Sequence, residues 1–175
     1  MNRRYFLGLT LSAMVAPAIA KQPAERPRVL SLHHMHTDEK LSVVYRIGDR
    51  YQRGALAKLS DFLRDFRTGD SVAIDPQLFD LLYDVKAQLG DTEARYEVLS
   101  AYRSPHTNAT LRRSGHGVAR NSLHMAGQAM DIRLPDLPTR YIRDAALSVG
   151  RGGVGYYRSS DFVHVDTGKV RRWAA

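Results

Sequence analysis

The chain is 175 residues long, 43% hydrophobic and 25% charged, with a formal net charge of +8 and no cysteine. That length suits one domain with a real core, and the balance of apolar and charged residues excludes long disorder. The missing thiols exclude disulfides, thiolate metal sites and a cysteine nucleophile, so any bound metal must draw on histidine and carboxylates.

Residues 1–20, MNRRYFLGLTLSAMVAPAIA, read as a secretory signal: Arg3 and Arg4 form the charged start, 6–18 the apolar stretch, and Ala18-Ile19-Ala20 a small-residue cleavage site. The paired arginines followed by Tyr5, Phe6 and Leu7 resemble a twin-arginine export address. An uncleaved anchor fits less well, because the apolar run is shorter than the ~20 residues that span a bilayer and Pro17 interrupts it. No later stretch is apolar enough to insert in a membrane. Outside the cytoplasm a basic surface favours anionic partners, such as carboxylate-bearing wall peptides. Nucleic acid is not expected, since the basic residues are scattered and not interleaved with aromatics.

Residues 21–27, KQPAERP, read as a tether, and the domain is expected over 28–175. Val29, Leu30 and Leu32, then Leu41, Val43, Val44 and Tyr45, predict two strands joined by a polar turn at 37–40. Over 52–66, Leu56, Leu59, Phe62, Leu63 and Phe66 share one face of a helix. Asp75-Pro76 starts a second helix with Leu78, Leu82, Val85 and Leu89 as its stripe and Gly90 at its end. A strand at 96–100 precedes a long polar loop at 103–121, and a loop of that length in a small domain hints at binding. At 128–134 the alternation turns Met130, Ile132 and Leu134 to the core and Asp131 away from it. A helix at 139–149 ends at Gly150, and strands follow at 153–157 and 162–166, the last with Val163 and Val165 inward and His164 and Asp166 on the other face.

Three stretches carry chemistry: SAYRS around Arg103, SLHMAGQAMD from Ser122 to Asp131, and DFVHVD from Asp161 to Asp166. The pattern S-x-H-x-x-x-G-x-A-x-D followed downstream by D-x-x-H resembles the zinc peptidases grouped with D-Ala-D-Ala carboxypeptidases and VanX dipeptidases, the murein endopeptidase K-like branch most of all. The likeness extends to the RPR-x-L-x-L start, the DP-x-LFD-x-LY helix and the GGVGYY and FVH-x-DTG segments. It implies one zinc ion held by His124, Asp131 and His164. It also implies Asp161 as the base that serves the water and then the leaving amine, and Arg103 as donor to the substrate carbonyl or clamp on a carboxylate. The implied fold is α+β: a single compact domain with an antiparallel sheet and helices packed on one face. The implied substrate is the stem peptide or cross-link of peptidoglycan, met in the periplasm.

The ligand types make chemical sense on their own terms. Two imidazoles and a carboxylate suit zinc and leave a coordination position for water. One ligand charge against the ion's two leaves the site net positive, which draws the pKa of water down toward ~7. Asp161 raises a geometric difficulty, because residues three apart in an unbroken strand face opposite sides. A bend just before Phe162 is therefore expected, in the polar run Arg158, Ser159, Ser160.

Asp166 is placed either to orient His164 or to cap a turn with Thr167 and Gly168. Ser122, Tyr156 and Tyr157 either line the cleft or pack in the fold, and His106 and His116 either touch substrate or sit exposed in the loop. His33, His34 and His36 lack a carboxylate at ligand spacing and are not expected to bind metal. No serine begins a Ser-x-x-Lys and no HExxH occurs, which excludes the penicillin-binding serine chemistry and the helical zinc motif. The remaining alternatives are a D,D-carboxypeptidase or dipeptidase on wall peptides, and a non-catalytic wall-binding module.

Overall fold

The computed structural model describes residues 26–115 and 118–175. The expected leader, most of the 21–27 tether and His116 lie outside the described residues. Twelve elements follow in order: β1 (Pro27–His34), β2 (Lys40–Ile47), β3 (Arg50–Tyr51), α1 (Arg53–Phe62), α2 (Pro76–Gln88), β4 (Arg95–Ser100), α3 (Pro105–Arg113), β5 (Ala129–Arg133), α4 (Thr139–Val149), β6 (Gly153–Tyr157), β7 (Phe162–Asp166) and β8 (Arg171–Ala174). A 3-10 turn, Leu123–Ala126, leads into β5.

The strands form one 8-stranded sheet in the order β3-β2-β1-β4-β5-β7-β6-β8. The α+β expectation holds, with one refinement to the pairing. The sheet is mixed: β1 runs parallel to β4 and β6 parallel to β8, while all other neighbours are antiparallel. Both parallel pairs follow from connections too long for a hairpin, which carry the chain back to the same end of the sheet.

One face of the sheet is apolar and covered by helices. Leu30 and Leu32 of β1, Tyr96 and Val98 of β4, Met130 and Ile132 of β5 and Val163 and Val165 of β7 are buried with Leu78, Leu82 and Val85 of α2 and Ile142, Ala145 and Ala146 of α4. Burying side chains of this size contributes about 1.5–3 kcal/mol each relative to exposure, so this layer dominates the stability. Because strand side chains alternate, the same pattern forces Asp131 and His164 onto the uncovered face.

Helices form where apolar spacing marks them. Asp75 caps α2 by accepting from the Gln77 N–H at 3.0 Å, with Pro76 in the first turn. The loop expected at 103–121 contains α3, which corrects that reading. Its face carries His106, Thr107, Asn108, Arg112 and Arg113 and no apolar stripe, so periodicity is silent. Ser104, accepting from the Thr107 N–H at 3.2 Å, and Pro105 start it by capping alone. The first helix stops at Phe62 rather than continuing to 66. Asp65, buried, takes the N–H groups of Arg67 and Ser104 on its carboxylate and turns the chain there.

Candidate active site

Asp131 and His164 face each other directly across the β5–β7 ladder, so the antiparallel register alone sets their side chains together. His124 arrives from the 3-10 turn just before β5. Gly127 ends that turn at a φ of 65°, and a Cβ there would lie 2.9 Å from the Ala73 carbonyl oxygen, so only glycine lets the chain pass. The resulting cluster is buried at all three positions, with ligand atoms within 4.8 Å of one another.

Partners behind the cluster fix which atom each ring presents. His124 Nδ1 donates to the Ala101 carbonyl oxygen at 2.6 Å, leaving the Nε2 lone pair to face His164 Nδ1 at 3.2 Å and Asp131 Oδ1 at 3.3 Å. His164 Nε2 donates to Asp166 Oδ2 at 3.0 Å, so its Nδ1 faces Asp131 Oδ1 at 2.9 Å. Two imidazole nitrogens and a carboxylate oxygen thus converge as acceptors, an arrangement that calls for a cation between them. The donor set therefore fits a divalent metal.

Electrostatics agree with the geometry. Burial lowers the His124 pKa, with Arg103 and His164 acting the same way against Asp131. At His164 burial is outweighed by hydrogen bonds to Asp131 and Asp166 and by their charges, and the pKa is raised. Burial would raise Asp131, but the two imidazoles hold it well below the usual carboxylate range.

Asp166 does both of the things expected of it, orienting His164 with one oxygen and capping the turn at Gly168 with the other. It is 0% exposed and accepts from His164, from the Gly153 and Gly168 N–H groups at 3.0 and 2.8 Å, and from both Arg171 terminal nitrogens. Arg103 Nη2 donates to Asp131 Oδ2 at 2.5 Å and its Nε to Ser100 Oγ at 2.7 Å. The guanidinium is thereby fixed, with Nη1 left without a partner among the described residues.

Asp161 stands apart. The expected bend is present, with Asp161 itself at a φ of 50°. That bend directs the carboxylate to Thr139 Oγ1, which donates to it at 2.9 Å, and leaves the side chain 63% exposed. Its neighbours Ser160 and Phe162 line the cleft, whereas Asp161 itself does not.

The cleft over the cluster has a volume of about 570 Å³. Ser122 and Tyr157 line it, whereas Tyr156 sits under Arg143. Its far wall was not anticipated. Trp173 of β8 lies 5.2 Å from the His164 ring and donates to the Tyr157 hydroxyl at 3.0 Å. Gly155 admits this indole, since a Cβ there would come within 2.5 Å of it. The only hint in sequence was the position of the single tryptophan next to the Arg171 pair of arginines. The histidines of the first strand and turn are engaged elsewhere, and His106 is exposed: His36 stacks on Phe66 at 4.1 Å, His34 is buried against Phe62 and Phe66, and His33 pairs with Asp38.

A fold of this kind with such a cluster defines a metallopeptidase, and comparison with known proteins agrees. Residues 22–173 match the Peptidase_M15_2 family, described as peptidoglycan L,D-endopeptidase MepK. The chain belongs to this family of metal-dependent peptidases. It is 44% identical to the peptidoglycan L,D-endopeptidase MepK of Escherichia coli strain K12, over 98% of this chain and 97% of that protein. It is 38% identical to the probable peptidoglycan L,D-endopeptidase MepK of Haemophilus influenzae, over 98% of this chain and 95% of that one.

Proposed function

We propose that the protein is a periplasmic, zinc-dependent peptidoglycan endopeptidase that hydrolyses cross-links joining an L-centre carbonyl to a D-centre amine. The observation that carries this reading is the convergence of two imidazole nitrogens and a carboxylate oxygen on one buried point, in a chain aligned almost end to end with relatives named for that activity.

His124, Asp131 and His164 would hold the zinc ion. When bound, zinc supplies a Lewis acid and a water that gives up its proton near neutral pH. The protein does the rest. Asp166 and the Ala101 carbonyl keep both imidazoles in the tautomer that ligation needs. Arg103, which lines the cleft and is held through Nε and Nη2, donates from its remaining nitrogen to the scissile carbonyl oxygen as negative charge builds on it. Asp161, released from Thr139 by a side-chain rotation, takes the proton of the attacking water and returns it to the leaving amine. Support for that last role is its place on the turn into His164's strand, between two residues that line the cleft.

The decisive experiment incubates purified cross-linked wall fragments with the protein, with and without a chelator. Conversion of cross-linked dimers to monomers, stopped by the chelator and restored by zinc, is the expected result. Release of free D-alanine instead would assign a carboxypeptidase, and binding without products a wall-binding module. The wall lies outside the cytoplasm, and residues 1–20 provide the route, through the twin-arginine pathway. Replacing Arg3 and Arg4 together by Lys should leave the protein in the cytoplasm; continued export would reject that route.

A further inference from the structure

The charged side chains that line the cleft, apart from histidines, are Arg67, Arg103, Asp131 and Arg171. Two of the three arginines are committed. Arg103 is paired with Asp131, and Arg171 with the buried Asp166. Arg67 differs: among the described residues its guanidinium makes no hydrogen bond and no ion pair. The cleft therefore carries one uncompensated positive charge beside a cluster that itself demands a cation.

Arg67 is also held in place. Its guanidinium carbon lies 4.1 Å from the centroid of the Phe66 ring, which is in turn stacked on His36. The turn that bears it is stitched to the Arg103 segment at two points. Asp65 Oδ2 accepts from the Ser104 N–H at 2.9 Å, and the Leu63 carbonyl oxygen accepts from the Tyr102 N–H at 3.1 Å. Asp65 Oδ1 meanwhile accepts from Arg67's own N–H at 3.0 Å. Arg67 and Arg103 are thus presented to the cleft by one tied unit. Loss of hydration lowers the Arg67 pKa and Arg103 lowers it further, although Asp65 acts the other way. A guanidinium fixed on the cleft wall beside a second arginine, with no carboxylate bonded to it among the described residues, marks a place where an anion fits.

The chemistry of the substrate says which anion. In an amide between two amino acids, the α-carboxyl on the acyl side is consumed as the scissile carbonyl. The amino acid that supplies the amine keeps its own carboxyl on the carbon next to the leaving nitrogen. Where that residue ends its branch, the carboxyl is free and charged. We infer that Arg67 is a specificity-determining residue that receives this carboxylate, selecting cross-links whose amine-side residue carries a free acid over those in which it is amidated. The inference rests on the endopeptidase reading above and names the group by which that site chooses its substrate. Arg67 contacts the substrate away from the bond that breaks, so it acts on binding more than on turnover.

The test uses zinc-loaded protein and two synthetic cross-linked muropeptides with the same L,D amide, one with the amine-side carboxyl free and one with it as carboxamide. Wild-type protein should prefer the free acid by about ten- to a hundredfold in kcat/KM, expressed mainly in KM, the range for one charge-assisted pair. In Arg67→Gln the preference should collapse to near one, through a higher KM for the free acid. Arg67→Lys should restore part of it, since a point charge replaces a bidentate fork. Zinc content and melting temperature of each variant check that the fold is intact, and the wild-type preference tests the inference even if Arg67→Gln does not fold. Equal wild-type turnover of the two substrates, or an equal loss on both in Arg67→Gln, would overturn it. If wild-type protein cleaves neither, the endopeptidase reading itself fails; if it cleaves both alike, only the role of Arg67 does.

Discussion

Asp80 and Asp131 are both buried carboxylates beside arginine, and they serve opposite ends. Asp80 on α2 accepts from Tyr45 and Arg28 on one oxygen and from Arg46 and Tyr51 on the other, at 2.5 to 3.3 Å. Every partner is a donor, so the group is satisfied and closed, a clasp between α2 and the β1–β3 edge of the sheet. Its charge also pushes the Tyr51 hydroxyl pKa up to about 12, behind desolvation as the larger cause. Asp131 has one oxygen satisfied by Arg103 and the other turned toward two ring nitrogens that present lone pairs. A carboxylate ringed by donors holds the fold together, and one facing acceptors waits for a cation. What distinguishes them is the partner on the far side of each histidine, the Ala101 carbonyl and Asp166.

That contrast can be broken at its strongest point first. Asp131→Asn removes the anionic ligand, and hydrolysis should fall below about a thousandth of wild type, as expected when water activation is lost. Product analysis by chromatography checks this, and turnover near the wild-type rate would contradict the ligand assignment. Asp161→Ala should lower kcat by about a hundred- to ten-thousandfold with zinc content retained. Unchanged turnover there would remove Asp161 as the base. Asp166→Asn frees the far side of His164, and a loss of about ten- to a hundredfold in zinc affinity, measured by chelator competition, is expected. Asp80→Asn sits at the other end of the scale. It should cost about 2 kcal/mol of stability in denaturant melts, discounted for the partial exposure of Arg28 and Arg46, and leave turnover per folded molecule as it was.

The sequence was most informative where period and spacing coincide. Alternation in 128–134 and 162–166 placed Asp131 and His164 on the uncovered face, and the strands at β6 and β7 fall on the expected residues. The bend before Phe162 was legible too, because a polar run had to reconcile a D-x-x-H spacing with strand geometry. What could not be read is contact between distant segments. Nothing local ties Trp173 to His164, or sets Arg67 beside Arg103, since both depend on how β8 and the turn after α1 come back to the cleft. α3 escaped for a different reason: it is a polar helix on the flank of the cleft, defined by its cap and with no apolar face to declare it. Asn108 within it, which begins a glycosylation triplet, is buried and donates to the Ala119 carbonyl oxygen. The direction of the Asp161 carboxylate likewise depends on Thr139, from a separate helix.

The claim on which the rest depends is that His124, Asp131 and His164 share one ion. Elemental analysis of zinc-loaded, desalted protein measures this directly, in wild type beside Asp131→Asn. One zinc per wild-type chain and none in the variant is the predicted result; full zinc occupancy in the variant, or none in wild type, would contradict it.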